Sequence, residues 1–148
     1  VTLLPYFDGE RTPNRPSATG LFSGIRTTTT REDIARAVVE GLLCSMLDAV
    51  EAVENAMESR ARRVLMIGGG ARSEAMRVIA PQIFEVNVAV PDPSEYVALG
   101  AARQAAWALS GADTPPQWDM AGTTTYTGDH DAETVARYKK IRDLTEEF

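Results

Sequence analysis

Ile67-Gly68-Gly69-Gly70-Ala71-Arg72-Ser73 closes an apolar run and opens a helix pattern. Residues without a Cβ let the main chain approach a ligand closely. The N–H groups at a helix start, together with the helix dipole, favour negative charge there. A strand, a triple glycine and a helix start therefore read as a phosphate-binding turn, and through it as a nucleotide site. The competing reading is a tight strand-to-helix turn with no ligand. The turn alone leaves the nucleotide open. Gly68-x-Gly70-x-x-Ser73 is a near match to the dinucleotide fingerprint, and Asp92 stands roughly 20 residues on, where a ribose-binding acid belongs. Against that reading, Ser73 replaces the usual Gly or Ala, and a long helix and two strands come before the turn.

Outward from the turn, Arg63 to Ile67 suits a strand buried on both faces. Upstream, Val1 to Phe7 and Gly20 to Ile25 read as short strands, separated by an exposed loop with Asp8-Gly9, Pro13 and Pro16. Thr30 followed by Asp33 approximates a capping box for a long helix. In that helix Ala35, Val39, Leu42, Met46, Val50, Val53 and Met57 recur near the helical period, and Ile34, Val38, Leu43 and Leu47 widen the stripe, so this face is expected in the core. Downstream, Ser73 caps a helix that Pro81 should end or bend. A strand over Glu85 to Val90 follows, then a helix begun by Pro91-Asp92-Pro93-Ser94 and closed by Gly111. Residues 112–130 carry two prolines and several threonines and read as a surface loop, and 131–148 as a terminal helix. This order predicts an α/β structure with parallel strands joined by crossovers.

The chain has 148 residues, 44% of them hydrophobic and 24% charged, enough for one domain with a core. A net charge of -6 and no basic run leave no footprint for nucleic acid. No apolar run approaches the ~20 residues that span a bilayer, and the start lacks a secretory signal pattern. Cys44 is the only cysteine and His130 the only histidine, so neither an intrachain disulfide nor a zinc-type cluster is available, and a cytoplasmic setting is expected. No catalytic residue stands out: there is no serine elbow, no base with a defined partner, and Cys44 reads as a small core residue. Asp8, Glu10 and Arg11 could orient a polar substrate or serve only a solvated loop. Arg72 could reach a phosphate. The small residues from Ala98 through Gly100, Ala101, Ala102, Ala105, Ala106 and Ala108 are expected to pack close to the sheet or a neighbouring helix, because glycine inside a helix costs ~1 kcal/mol and needs a steric reason.

Four motifs in order carry a family resemblance: Leu4-Pro5-Tyr6-Phe7-Asp8-Gly9-Glu10-Arg11-Thr12-Pro13; Thr30-Arg31 through Ala37-x-x-Glu40-Gly41; Gly68-Gly69-Gly70-Ala71-Arg72-Ser73; and Glu95-Tyr96-x-Ala98-Leu99-Gly100-Ala101-Ala102. From Leu3 to Leu109, and again from Tyr138, the chain resembles the C-terminal part of carbohydrate kinases of the FGGY family, closest to its xylulokinase branch. The resemblance implies an actin-like, ribonuclease H-like ATPase fold, a mixed sheet flanked by helices, with ATP and Mg²⁺ as cofactors. It places ATP-binding residues at Gly69, Gly70, Ala71 and Glu74, with no metal ligand and no catalytic residue in this chain. The phosphate loops, the aspartate base and the sugar-binding residues of the family belong upstream of Val1. Residues 1–148 would then form a partial, ATP-side domain, inactive alone, whose partners are the N-terminal domain of the same polypeptide, ATP or ADP, the sugar, and in a homodimer a second copy. Met76, Val78 and Pro81 depart from the family pattern. An NAD-binding oxidoreductase domain and a non-catalytic interaction or pseudokinase module are the alternatives.

Overall fold

The computed structural model describes residues 1–118 and 122–145. Thr2–Leu4 (β1) pairs antiparallel with Leu21–Ser23 (β2), in the register Thr2↔Ser23 and Leu4↔Leu21. The loop between them is ordered by its own polar groups. The Glu10 carboxylate accepts from the Arg11 and Thr12 amides at 2.7 and 3.1 Å and from the Ser45 hydroxyl at 3.4 Å. Glu10 is thus engaged in holding the loop to the long helix, which favours the structural reading of this loop.

That helix, α1, spans Arg31–Met57. Thr30 caps it reciprocally: its hydroxyl accepts from the Asp33 amide at 3.2 Å, and the Asp33 carboxylate accepts from the Thr30 amide at 2.9 Å. The buried face is rotated from the one its apolar period predicts: Leu43 and Leu47 are buried and Val39 and Val50 pack against the core as expected, but the rest of the stripe does not follow. It runs through Ala37, Glu40, Gly41, Leu43, Cys44, Leu47 and Asp48, whereas Leu42, Met46, Val53 and Met57 are 41–70% exposed. Gly41 is the reason. A Cβ there would lie 2.5 Å from the Leu3 carbonyl oxygen, so α1 meets β1 backbone to side-chain-free backbone, and that contact fixes which face turns inward. Gly41→Ala is expected to destabilise the fold by about 1–3 kcal/mol despite alanine's better helix propensity, because the overlap is with backbone that cannot yield. Chemical denaturation measures it.

Val64–Leu65 (β3), Val88–Pro91 (β4) and Thr123–Tyr126 (β5) form a mixed sheet in the order β3-β4-β5, parallel across the first pair and antiparallel across the second. β4 is buried throughout. β3 is shorter and more open than its sequence predicts: Leu65 and Ile67 are 50% and 46% exposed. β5 lies inside the stretch read as a loop. Its Thr123-Thr124-Thr125-Tyr126 run carries no apolar alternation because an edge strand is held through backbone bonds to β4, and threonine is β-prone without being apolar. Residues 119–121 of that loop, and 146–148 of the terminal helix, lie outside the described residues.

Glu74–Phe84 (α2) connects β3 to β4 and packs on α1. Pro81 does not end it. The proline is fully buried within the helix, which continues to Phe84; core packing outweighs the loss of one hydrogen bond. Ala132–Leu144 (α4) is capped by Asp131, whose carboxylate accepts from the Thr134 amide at 3.0 Å. It closes the core over β1: the Tyr138 hydroxyl donates to the Tyr6 hydroxyl at 3.3 Å, with both rings buried. Burial raises both phenols above the ordinary tyrosine range. Cys44 lies in the same core, its thiol pushed up to about 12 chiefly by burial and then by Glu40, which makes it an inert packing residue.

The helix Tyr96–Ser110 (α3) corrects another expectation. None of its residues is buried, and a Cβ on Gly100 would meet nothing within 4 Å. Its small-residue face packs against no described element. Only its C-terminal connection folds back on it, through Arg103 Nε to the Pro116 carbonyl at 2.8 Å and Trp107 Nε1 to the Ala112 carbonyl at 2.6 Å. Val97 and Leu109 are 85% and 91% exposed. Glu95 precedes α3 without a side-chain cap, so Ser94 does not cap it as the sequence suggested.

Candidate functional site

Gly68 takes φ +87°, a left-handed value that favours glycine, and turns the chain out of β3 into a short 3₁₀ turn, Gly69–Arg72. The turn is closed by the Ala71 amide donating to the Gly68 carbonyl at 3.2 Å and the Ser73 amide donating to the Gly70 carbonyl at 3.1 Å. The Ser73 hydroxyl then accepts from the Met76 amide at 3.4 Å, starting α2. Among the described residues, the Gly69 and Gly70 amides have no hydrogen-bond acceptor. A Cβ built on either glycine would meet nothing within 4 Å. Their missing side chains therefore serve no packing among the described residues, unlike that of Gly41. They leave open space above two unengaged donors.

That space is the rim of a pocket of about 160 Å³ walled by Ile67, Gly68, Gly69, Ala71, Arg72 and Arg77 on one side, and by Val90, Pro91 and the segment from Pro93 to Tyr96 on the other. The C-terminal ends of β3 and β4 meet here, the usual place for a ligand on an open α/β sheet. The Tyr96 hydroxyl donates to the Asp92 carbonyl and so ties the second wall together. Of the residues the sequence suggested, Gly68, Gly69, Ala71 and Arg72 line the pocket. Gly70 lies within the turn but not on the wall, and Glu74, the first residue of α2, is exposed beside it. Asp92 is off the wall; its amide donates to the Gly122 carbonyl at 2.7 Å. Sequence reading missed Arg77 and the Pro93 to Tyr96 wall, since their approach to the glycines depends on the β3–β4 pairing.

A larger concavity of about 530 Å³ lies at the C-terminal end of α1, among Glu51, Glu54, Asn55, Glu58, Ser59 and Arg60. Three glutamates against one arginine repel an anion. The smaller pocket is the better candidate. Among the described residues no group of three His, Cys, Asp or Glu side chains stands ready to hold a metal ion. No helix there is long and apolar enough to cross a membrane.

A glycine turn at the carboxyl edge of a helix-covered sheet is a general ligand-binding arrangement, and residues 1–109 match the C-terminal domain of the FGGY family of carbohydrate kinases. The chain belongs to that family and has its actin-like ATPase fold. It is 40% identical to a xylulose kinase of Streptomyces rubiginosus over 141 residues, covering 93% of this chain and 29% of that protein. It is 43% identical to a xylulose kinase of Streptomyces coelicolor over 113 residues, covering 76% of this chain and 24% of that protein. The crystal structure of xylulose kinase from Bifidobacterium adolescentis superposes with a TM-score of 0.82 at 52% identity, covering 95% of this chain and 28% of that one. The chain thus spans under a third of the length of these relatives.

Proposed function

We propose that this chain is the ATP-side part of a kinase that transfers the γ-phosphate of ATP to a hydroxyl of D-xylulose, acting only together with an N-terminal domain of the same polypeptide. The observation that carries the reading is the pair of unengaged amides at Gly69 and Gly70 beside a pocket that no side chain among the described residues fills. Gly69 and Ala71 bring backbone to the α-phosphate and adenosine side of the nucleotide, Gly70 keeps the turn free of side-chain bulk, and Glu74 stands at the nucleotide's edge. ATP supplies the phosphoryl group and Mg²⁺ neutralises its charge. The described residues offer no carboxylate cluster suited to the metal, so no step of the reaction is assigned to Mg²⁺ on this chain.

Two features support a partner domain. The pocket is smaller than the ~300–1,000 Å³ of a complete ligand site, as one wall of a cleft would be. The uncovered α3, with a mid-helix glycine whose Cβ direction is empty among the described residues, fits a surface made to be packed by another part of the protein. The test is a titration of the complete polypeptide with ADP and with NADH, followed by an assay for ADP release with ATP and D-xylulose. ADP binding in preference to NADH, and ADP release dependent on D-xylulose, are expected. Preference for NADH would overturn the nucleotide assignment, and ADP release with a different sugar only would overturn the substrate.

A further inference from the structure

Arg77 reaches back from the first turn of α2 to the glycine turn, and its Nε donates to the Ala71 carbonyl at 2.5 Å. Helical side chains lean toward the N-terminus, so a residue at this place in α2 is directed at the turn before it. Its own amide is used within the same joint, donating to the Ser73 carbonyl at 3.2 Å. Among the described residues Arg77 forms no ion pair. It is half-buried and lines the pocket.

The bonding of the turn shows what this contact adds. The Gly68 and Gly70 carbonyls are engaged by amides of the turn itself, whereas the Ala71 carbonyl is held by the Arg77 guanidinium. A peptide unit is planar, so fixing the Ala71 carbonyl also fixes the Arg72 peptide, whose amide belongs to the 3₁₀ turn Gly69–Arg72, and the guanidinium thereby anchors the C-terminal end of the turn that carries the open Gly69 and Gly70 amides. Glycines lose more conformational freedom on ordering than any other residue, and a turn with three of them needs an outside restraint to keep its donors aimed. Resting on the nucleotide reading of this pocket, we propose that Arg77 is the positioning residue of the site: it locks the glycine turn so that its amides are preset for the nucleotide. It acts through the Ala71 carbonyl, and its effect falls on nucleotide affinity rather than on the sugar or the stability of the fold.

The test compares Arg77→Met and Arg77→Lys in the complete polypeptide by ADP titration, steady-state kinetics and thermal unfolding. Methionine keeps the apolar stem and removes the donor; lysine keeps a charged donor. Arg77→Met is expected to weaken ADP binding and raise the KM for ATP by roughly tenfold, the usual size for a charge-assisted hydrogen bond. The KM for the sugar, the kcat at saturating ATP and the Tm should stay near wild type. Arg77→Lys should recover ADP affinity to within about threefold of wild type. Unchanged ADP binding in Arg77→Met, an equal loss for sugar and nucleotide, a loss of Tm without a change in KM, or failure of lysine to rescue would each overturn the proposal. If wild-type protein binds no ADP, the nucleotide reading itself fails and this role falls with it.

Discussion

Arg142→Met is expected to destabilise the fold by about 3–5 kcal/mol at neutral pH, the cost of removing one partner of a buried ion pair. Asp48 on α1 has a side chain only 5% exposed, and its Oδ1 accepts from the Arg142 guanidinium on α4, while Oδ2 has no partner among the described residues. Burial raises the Asp48 carboxyl above the ordinary aspartate range, and Arg142 opposes the rise through its charge and its hydrogen bond. Without the guanidinium nothing of comparable strength offsets the burial.

The sign of the pH dependence follows. A folded-state pKa raised above the unfolded value of 3.8 gives stability that is complete below that value and is lost as pH rises through the folded pKa. Arg142→Met raises the folded pKa further, so the gap between variant and wild type should be wider at pH 8 than at pH 5. Urea denaturation at the two pH values measures it. Asp48→Asn added to Arg142→Met should recover part of the loss at pH 8, because it removes the stranded charge. A gap that is the same at both pH values would show that Asp48 is not the group left uncompensated.

Gly69→Val is expected to lower kcat/KM for ATP by about a hundredfold, which is the scale for misplacing a reacting group by ~1 Å, while leaving the fold nearly intact. Gly69 has no left-handed φ and its Cβ direction is empty among the described residues, so a side chain can start there without backbone strain or a Cβ clash. Its bulk enters the space proposed for the nucleotide. Circular dichroism and Tm should match wild type while ADP affinity collapses. A variant that binds ADP normally would remove Gly69 from the site, and the turn would then be a structural device only. Gly41 gives the contrast: a Cβ there would lie 2.5 Å from the Leu3 carbonyl oxygen, whereas one on Gly69 would meet nothing within 4 Å.

Much of the local structure was legible in residue order. Thr30 with Asp33, Ser73 and Gly111 marked helix ends through side-chain bonds or backbone freedom that act over a few residues. The glycine turn was legible for the same reason. The core face of α1 was legible only in part: Val39, Leu43, Leu47 and Val50 lie in or against the core, but apolar period ranks Leu42, Met46 and Val53 above Glu40, Gly41 and Asp48. The inward face was set by where the β1 backbone could approach and by charges paired across the fold. Pro81 and β5 escaped for a related reason: burial against neighbours and pairing with β4 outweigh a breaker and a polar strand.

The order of motifs by itself determined the family of this chain and located its glycine turn, since both depend on residues close together along the chain. Only the tertiary structure decided that Arg77 grips that turn, that the Pro93 to Tyr96 segment forms its opposite wall, and that α3 stands uncovered. Those facts rest on strand pairing and helix packing between distant segments, whose energies come from burial and shape in three dimensions and leave no fixed spacing in the sequence.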